Sequence, residues 1–394
     1  MGRLRNALGT GALLLLGVVL SFALLELFLR VVNPLGSRLW GDRIVLQANV
    51  SQTITNVRNP RLDPVIHFSR NSLGFRGPEP PRDFGRTLTL LAVGGSTTEC
   101  WFLSDGKDWP AVLGRRLAER FQDVWVNNAG LEGHSTFGHL LLLDQWIVKL
   151  RPSLVVFLLG LNDVEREDLK AGDRALAAGG RSVGWDALVG AVARRSAVVA
   201  TLVNLGRSRR AERLNLTHGD VRLRRLPPLP LKPEYRRNTL LLHEQRYVPG
   251  FRQRVERLVA VSRAGGIEPV LVTQPALYGE GLDDVTGVDL ATVTVDNDPE
   301  HLLNGSLAWR ILELYNDTSR AIGREQGVFV VDLARRLPKS SRYFYDFVHF
   351  TNEGSDAVGG LVAQELCPFL AERFADKARS ACPEPPPGAP RSTS

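Results

Sequence analysis

From residue 88 to residue 374, short apolar runs alternate with stretches of helical period. Residues 88–93 (LTLLAV), 124–127, 154–159 (LVVFLL), 269–273 (PVLVT) and 328–331 read as strands, because each is a continuous apolar run too short for a helix. Residues 109–121, 137–150, 240–264, 307–325 and 353–374 carry the helical spacing between and after them. Strands that alternate with helices in this way imply parallel βαβ units. The expected fold is α/β: a flavodoxin-like three-layer sandwich with a five-stranded parallel sheet and its site at the carboxyl ends of the strands.

The amino terminus breaks the pattern. Residues 6–25 hold no charge and centre on ALLLLGVVLSFALL. At ~1.5 Å per residue such a helix covers ~30 Å, the thickness of a bilayer core. Glu26 and Arg30 are four apart and can pair on one helix face. No small-residue cleavage site follows, so residues 1–33 read as an uncleaved signal anchor, with a cleaved signal peptide or a buried helix as alternatives. Arg3 and Arg5 precede the segment and Arg30, Arg38 and Arg43 follow it, so charge sets no firm orientation. Long domains translocate largely regardless of charge, and the expectation is a single-pass protein of the cell membrane with its folded part outside the cytoplasm.

Residues 34–85 form a polar lead-in that ends in NSLGFRGPEPPRDFGR. The main domain then spans 86–376, with an insertion at about 164–238 and a Pro-rich tail at 377–394. A weak helix is expected near 184–205. The chain of 394 residues has a net charge of +7, and residues 205–240 alone carry a surplus of that size. A bias confined to one segment does not argue for a nucleic-acid partner. Pro227, Pro228, Pro230 and Pro233 oppose a continuous helix there, so the segment reads as a mobile, extended basic loop. Three cysteines exclude a disulfide-dense scaffold; outside the cytoplasm Cys367 and Cys382 would be free to pair, leaving Cys100 over.

The strand ends carry the candidate chemistry. The first strand runs into Gly94-Gly95-Ser96, where two glycines let the backbone turn sharply and expose the serine. There is no phosphate-loop or dinucleotide glycine pattern. The second strand leads to Asn128 and Gly133, the third to Gly160-Leu161-Asn162-Asp163, and Asp346-Phe347-Val348-His349 stands just before the last helix. Singly each is weak: a serine after glycines is usually a turn, and an Asn-Asp pair is usually a turn or a cap. Their conjunction in this order is the signal.

These four blocks resemble the SGNH (GDSL-type) hydrolase family over about residues 85–375, and NSLGFRG with the anchor resembles its membrane-tethered bacterial members. One departure is Gly95, where many members carry Asp. The resemblance implies a Ser-His-Asp triad, with Ser96 as nucleophile, His349 as base and Asp346 orienting it. The oxyanion donors would be the Ser96 and Gly133 N–H groups and the Asn162 amide. It also implies small acyl esters as substrates, and an extracytoplasmic tether points to O-acetyl groups on glycans. No cofactor and no metal are expected. His134 and His139 are off helical register for one face and lack nearby carboxylates. Cys100 reads as a packed residue, and Glu99 and Asp163 as turn or supporting residues. The expected protein is a membrane-anchored esterase. An O-acyltransferase using the same residues and a non-catalytic glycan-binding scaffold are the alternatives.

Overall fold

A computed structural model of the chain describes residues 2–32, 39–40, 43–44, 46–57, 59–167, 196, 198, 218–299 and 301–383. The chain divides into two compact units, Met1–Val45 with Arg174–Thr217, and Leu46–Asp173 with His218–Ser394.

In the first unit α1 (Gly2–Val32) is a single helix of 31 residues. Its described leucines, valines and phenylalanines, from Leu13 to Phe28, are exposed. Among the described residues, no helix is long and apolar enough to cross a membrane. Glu26 accepts hydrogen bonds from Ser196 Oγ (2.8 Å) and Val198 N (3.1 Å). The Arg30 side chain expected to pair with Glu26 lies outside the described residues. So do the helix expected near 184–205, apart from Ser196 and Val198, and the arginines of 205–217.

The second unit opens with an antiparallel hairpin, β1 (Val50–Thr55) and β2 (Val65–Arg70), paired from Val50↔Arg70 to Thr55↔Val65. The lead-in is therefore part of this unit from Leu46 onward, rather than a segment preceding it. Next come β3 (Leu88–Gly94), α2 (Ser96–Glu99), α3 (Trp109–Ala118) and β4 (Val124–Asn128). They are followed by α4 (Thr136–Leu142) and β5 (Leu154–Leu159). Beyond the insertion lie α5 (Pro233–Leu242), α6 (Val248–Ala264) and β6 (Glu268–Thr273). The unit closes with α7 (Gly305–Gln326), β7 (Phe329–Val331) and α8 (Asn352–Arg373). The five strands β3 to β7 form one parallel sheet in the order β7-β6-β5-β3-β4. Counting sheet strands alone this is 2-1-3-4-5, the flavodoxin-like order.

The central strands β3 and β5 are buried along their whole length, which is why they read as unbroken apolar runs. Leu88, Leu90, Ala92, Leu154, Val156 and Leu158 face the core shared with α3 and α8, which pack on each other. The alternate residues, such as Leu91, Val93 and Phe157, are equally buried on the other face, where α4, α6 and α7 pack in sequence.

Two expectations change. The helix expected from 240 begins at Pro233, which occupies a first-turn position where its missing N–H costs nothing. It passes through a π turn (His243–Tyr247) into α6. The described half of the basic segment, 218–232, is not a free loop. Val221 N donates to Tyr345 O (2.8 Å), Leu229 N donates to Thr292 O (2.8 Å), and Leu223 is buried in the main core. The reason is the run Val221-Arg222-Leu223-Arg224-Arg225-Leu226, whose apolar members pack inward while the arginines point out. Cys367 and Cys382 form a disulfide that ties the tail to α8. Cys100 is buried, and burial pushes its thiol up to about 12, so it is an inert packed residue.

Candidate active site

The turn after β3 is built by lack of space. A Cβ on Gly94 would lie 2.2 Å from Thr98 Oγ1 and 2.9 Å from Leu158 O. One on Gly95 would lie 2.0 Å from Asn162 Nδ2. Gly95, at φ −86° and ψ −148°, turns the chain from β3 into α2, and close approach leaves neither glycine room for a side chain. Ser96 is the first residue of α2, where the helix itself supplies no acceptor for the backbone N–H. The Arg76 guanidinium closes the other end, donating to Glu99 O (2.9 Å) and Cys100 O (2.8 Å), a cation on the carbonyl end of the helix.

The loop before α8 brings its histidine to that turn. His349 Nε2 lies 2.8 Å from Ser96 Oγ, and His349 Nδ1 lies 2.7 Å from Asp346 Oδ2. The other Asp346 oxygen accepts the backbone N–H of Val348 (2.8 Å) and of His349 (2.7 Å). Burial opposes the charge on Asp346. The His349 charge and these hydrogen bonds outweigh it and hold the carboxyl below its ordinary range. Hydroxyl, imidazole and carboxylate therefore stand in line, each half-buried. The line fixes His349 so that the nitrogen facing Ser96 can accept a proton.

The expected oxyanion residues converge on the same turn. Asn162 lies in a 3-10 turn (Leu161–Asp163) after β5, and Gly160, at φ +112°, makes the bend into it. Asn162 Nδ2 donates to His134 O (2.9 Å), which leaves its second N–H to face elsewhere. Gly133 adopts φ +72°, a region that disfavours a side chain, and a Cβ there would meet nothing within 4 Å. Asp163 supports this loop from within: it is buried and accepts from Thr136 N (3.2 Å) and Arg254 (3.3 Å).

Three neighbours escaped the sequence reading. The His218 ring centroid lies 4.2 Å from that of His349. His218 Nδ1 is 2.8 Å from the Tyr345 hydroxyl, and Nε2 is 2.9 Å from Glu132 Oε1. Burial alone would lower the His218 pKa; the Glu132 hydrogen bond, with the charges of Glu132, Asp346 and Glu99, raises it instead. His218 sits in the basic segment, and nothing in the sequence around it marked it. Its ligand-type atoms lie with those of Asp346 and His349 within 4.8 Å of one another, the described group that could hold a metal. The nitrogens and oxygens of that group are already engaged with one another, with Ser96, with Tyr345 and with Glu132. His134 and His139 lie side by side with centroids 6.4 Å apart, and burial pulls His139 down to about 4, so its ring stays neutral.

Comparison with known proteins adds the following. The GDSL-like Lipase/Acylhydrolase family matches over residues 92–357, which holds Ser96, Gly133, Asn162, Asp346 and His349. Esterase TesA of Pseudomonas aeruginosa is 39% identical over 75 residues, 19% of this chain and 37% of that protein. The Vibrio mimicus arylesterase is 36% identical over 74 residues, again 19% and 37%. The match thus spans little more than a third of the length of these curated relatives. Among solved structures, Axe2, an acetylxylan esterase from Geobacillus stearothermophilus, is similar over 72% of this chain and 93% of its own. Its identity is 14% and its TM-score 0.38.

Proposed function

The chain belongs to the GDSL-like lipase/acylhydrolase family, and from that premise we propose that it is a serine esterase that hydrolyses small acyl esters through an acyl-enzyme on Ser96. The observation that carries the reading is the line from Ser96 Oγ to His349 Nε2 (2.8 Å) and from His349 Nδ1 to Asp346 Oδ2 (2.7 Å). A free serine hydroxyl is a poor nucleophile at neutral pH. His349 takes its proton as Ser96 Oγ attacks the ester carbonyl, and returns it to the leaving alcohol. Asp346, ionised and held by two backbone N–H groups, stabilises the imidazolium that forms. The tetrahedral oxygen is received by the N–H groups of Ser96 and Gly133 and by the free N–H of Asn162. Water, activated by His349, then releases the acyl group.

The proposed setting is the outer face of a cell membrane, with α1 as a single-pass anchor. Two observations support it: the charge-free stretch of residues 6–25, and the Cys367–Cys382 disulfide, which belongs in an oxidising compartment. In that setting the proposed substrates are O-acetyl esters of glycans. The test is labelling of the full chain by a serine-directed fluorophosphonate, followed by turnover of acyl-ester series and acetylated glycans. Labelling that survives Ser96→Ala, or no turnover of any ester, overturns the reading. Acyl transfer to an added glycan hydroxyl in preference to water would replace hydrolysis with transfer at the same serine.

A further inference from the structure

Arg70 ends β2 in the lead-in hairpin, and its guanidinium pairs with Glu99 Oε1 at 2.6 Å. Both side chains are buried, with 6% and 1% of their surface exposed. Glu99 is the last residue of α2, three after Ser96. Its other oxygen, Oε2, accepts the backbone N–H of Glu132 at 2.6 Å. Glu132 immediately precedes Gly133. The turn around Gly133 is gripped at three points. Leu131 N donates to Gly94 O (3.0 Å), Glu132 N donates to Glu99 Oε2, and His134 O accepts from Asn162 Nδ2 (2.9 Å). Two of those points belong to the nucleophile turn and its helix, and the third to the expected oxyanion amide.

A buried ion pair is weak evidence for stability, because desolvation cancels much of the attraction and an apolar pair would fold as well. What an apolar pair cannot do is accept an N–H. A charged acceptor makes a short, directional bond, and the buried Arg70 guanidinium at 2.6 Å fixes where that carboxylate points. We infer that the Arg70–Glu99 pair is a positioning relay: the lead-in arginine fixes the Glu99 carboxylate, which fixes the Glu132 peptide and so aims the Gly133 N–H at the oxyanion. This rests on the esterase reading above. It makes the lead-in hairpin part of the catalytic unit and gives Arg70, 26 residues before the nucleophile, a role in turnover rather than in substrate affinity.

The experiment compares two double variants of the full chain on p-nitrophenyl acetate. Arg70→Met with Glu99→Gln removes the buried charges but keeps an acceptor oxygen for the Glu132 N–H. Arg70→Met with Glu99→Leu removes the charges and the acceptor. Misplacing a reacting group by ~1 Å can cost ~10²-fold, so kcat of the Leu double should fall about 30- to 100-fold below that of the Gln double. KM should change by less than about two-fold, and affinity for a boronic acid that mimics the tetrahedral intermediate should fall by the same factor as kcat. Should the Leu double not fold, Glu99→Asp serves: it keeps the buried charge for Arg70 and withdraws the oxygen from the Glu132 amide, with the same signature expected. Equal kcat in the folded variants, or a loss confined to KM with boronate affinity unchanged, overturns the relay while leaving the esterase standing. A wild-type chain that turns over no ester, alongside an inert Ser96→Ala control, removes both.

Discussion

Adding one methyl group at Gly95 tests the geometry of the site more sharply than deleting a catalytic side chain. The Cβ of Gly95→Ala would sit 2.0 Å from Asn162 Nδ2, 3.3 Å from Asn162 Cγ and 3.2 Å from His134 O. Non-bonded heavy atoms settle near 3.5 Å, so the amide must retreat by about 1.5 Å. That retreat breaks its 2.9 Å bond to His134 O and takes its second N–H off the oxyanion. Loss of one preorganised donor costs ~10²–10³ in kcat, and Gly95→Ala should fall in that range with little change in KM. Asn162→Ala should cost the same. The decisive variant is the double. With the amide gone, the 2.0 Å clash is gone too, and the His134 carbonyl at 3.2 Å needs to shift by only a few tenths of an ångström, so Gly95→Ala should add less than about three-fold. The coupling between the two sites is then about 3 kcal/mol, read as a double-mutant cycle on kcat with thermal melting to show that all three variants are folded. Wild-type turnover in Gly95→Ala, or losses that multiply in the double, would refute the argument.

How far the sequence could be read follows from where the information lies. β3, β5 and β6 were legible because a strand buried on both faces leaves an apolar run that only its neighbours could interrupt. Ser96, Gly133, Asn162, Asp346 and His349 were legible because the carboxyl ends of such strands are where loops converge, and the structure does bring them to one turn. The lead-in hairpin was missed because β1 is largely exposed, and VSQTIT carries little apolar alternation. β2 does alternate, with Ile66, Phe68 and Arg70 inward, but its third inward residue is an arginine whose reason, Glu99, lies far along the chain. Arg61 shows the same limit. It reaches Asp220, Ser341 O and Tyr345 O, partners that no periodicity connects to it. His218 is the extreme case, since its place beside His349 depends on Val221 and Leu223 folding a basic stretch back onto the core.

If Ser96 and His349 act as one unit, their losses do not add. Ser96→Ala, His349→Ala and the double should each lose on the order of 10⁴–10⁶ in kcat, and a double far worse than either single would separate them. The raised His218 pKa makes a stability prediction with a definite sign. A group whose folded value lies above the ordinary value near 6.5 stabilises fully below that pH and loses its contribution as pH rises through the folded value. His218→Gln should therefore lower Tm most in mildly acidic buffer, with a deficit that shrinks above pH 7; a deficit that grows with pH would contradict the sign. The last prediction concerns α1. Its 31 residues include the 20 without charge at 6–25, ~30 Å of helix, and its described apolar side chains from Leu13 to Phe28 are exposed. Apolar side chains that leave water for lipid gain ~25 cal/mol per Å² of buried surface, a gain that salt does not weaken. The full chain should stay with membranes through alkaline carbonate and high salt, since apolar insertion, unlike charge attraction, is not screened. A chain lacking residues 1–45 should be released while keeping its turnover of a soluble ester, because all the residues that meet at Ser96 belong to the other unit. Release of the full chain by salt alone would leave the basic segment, not α1, as the membrane contact.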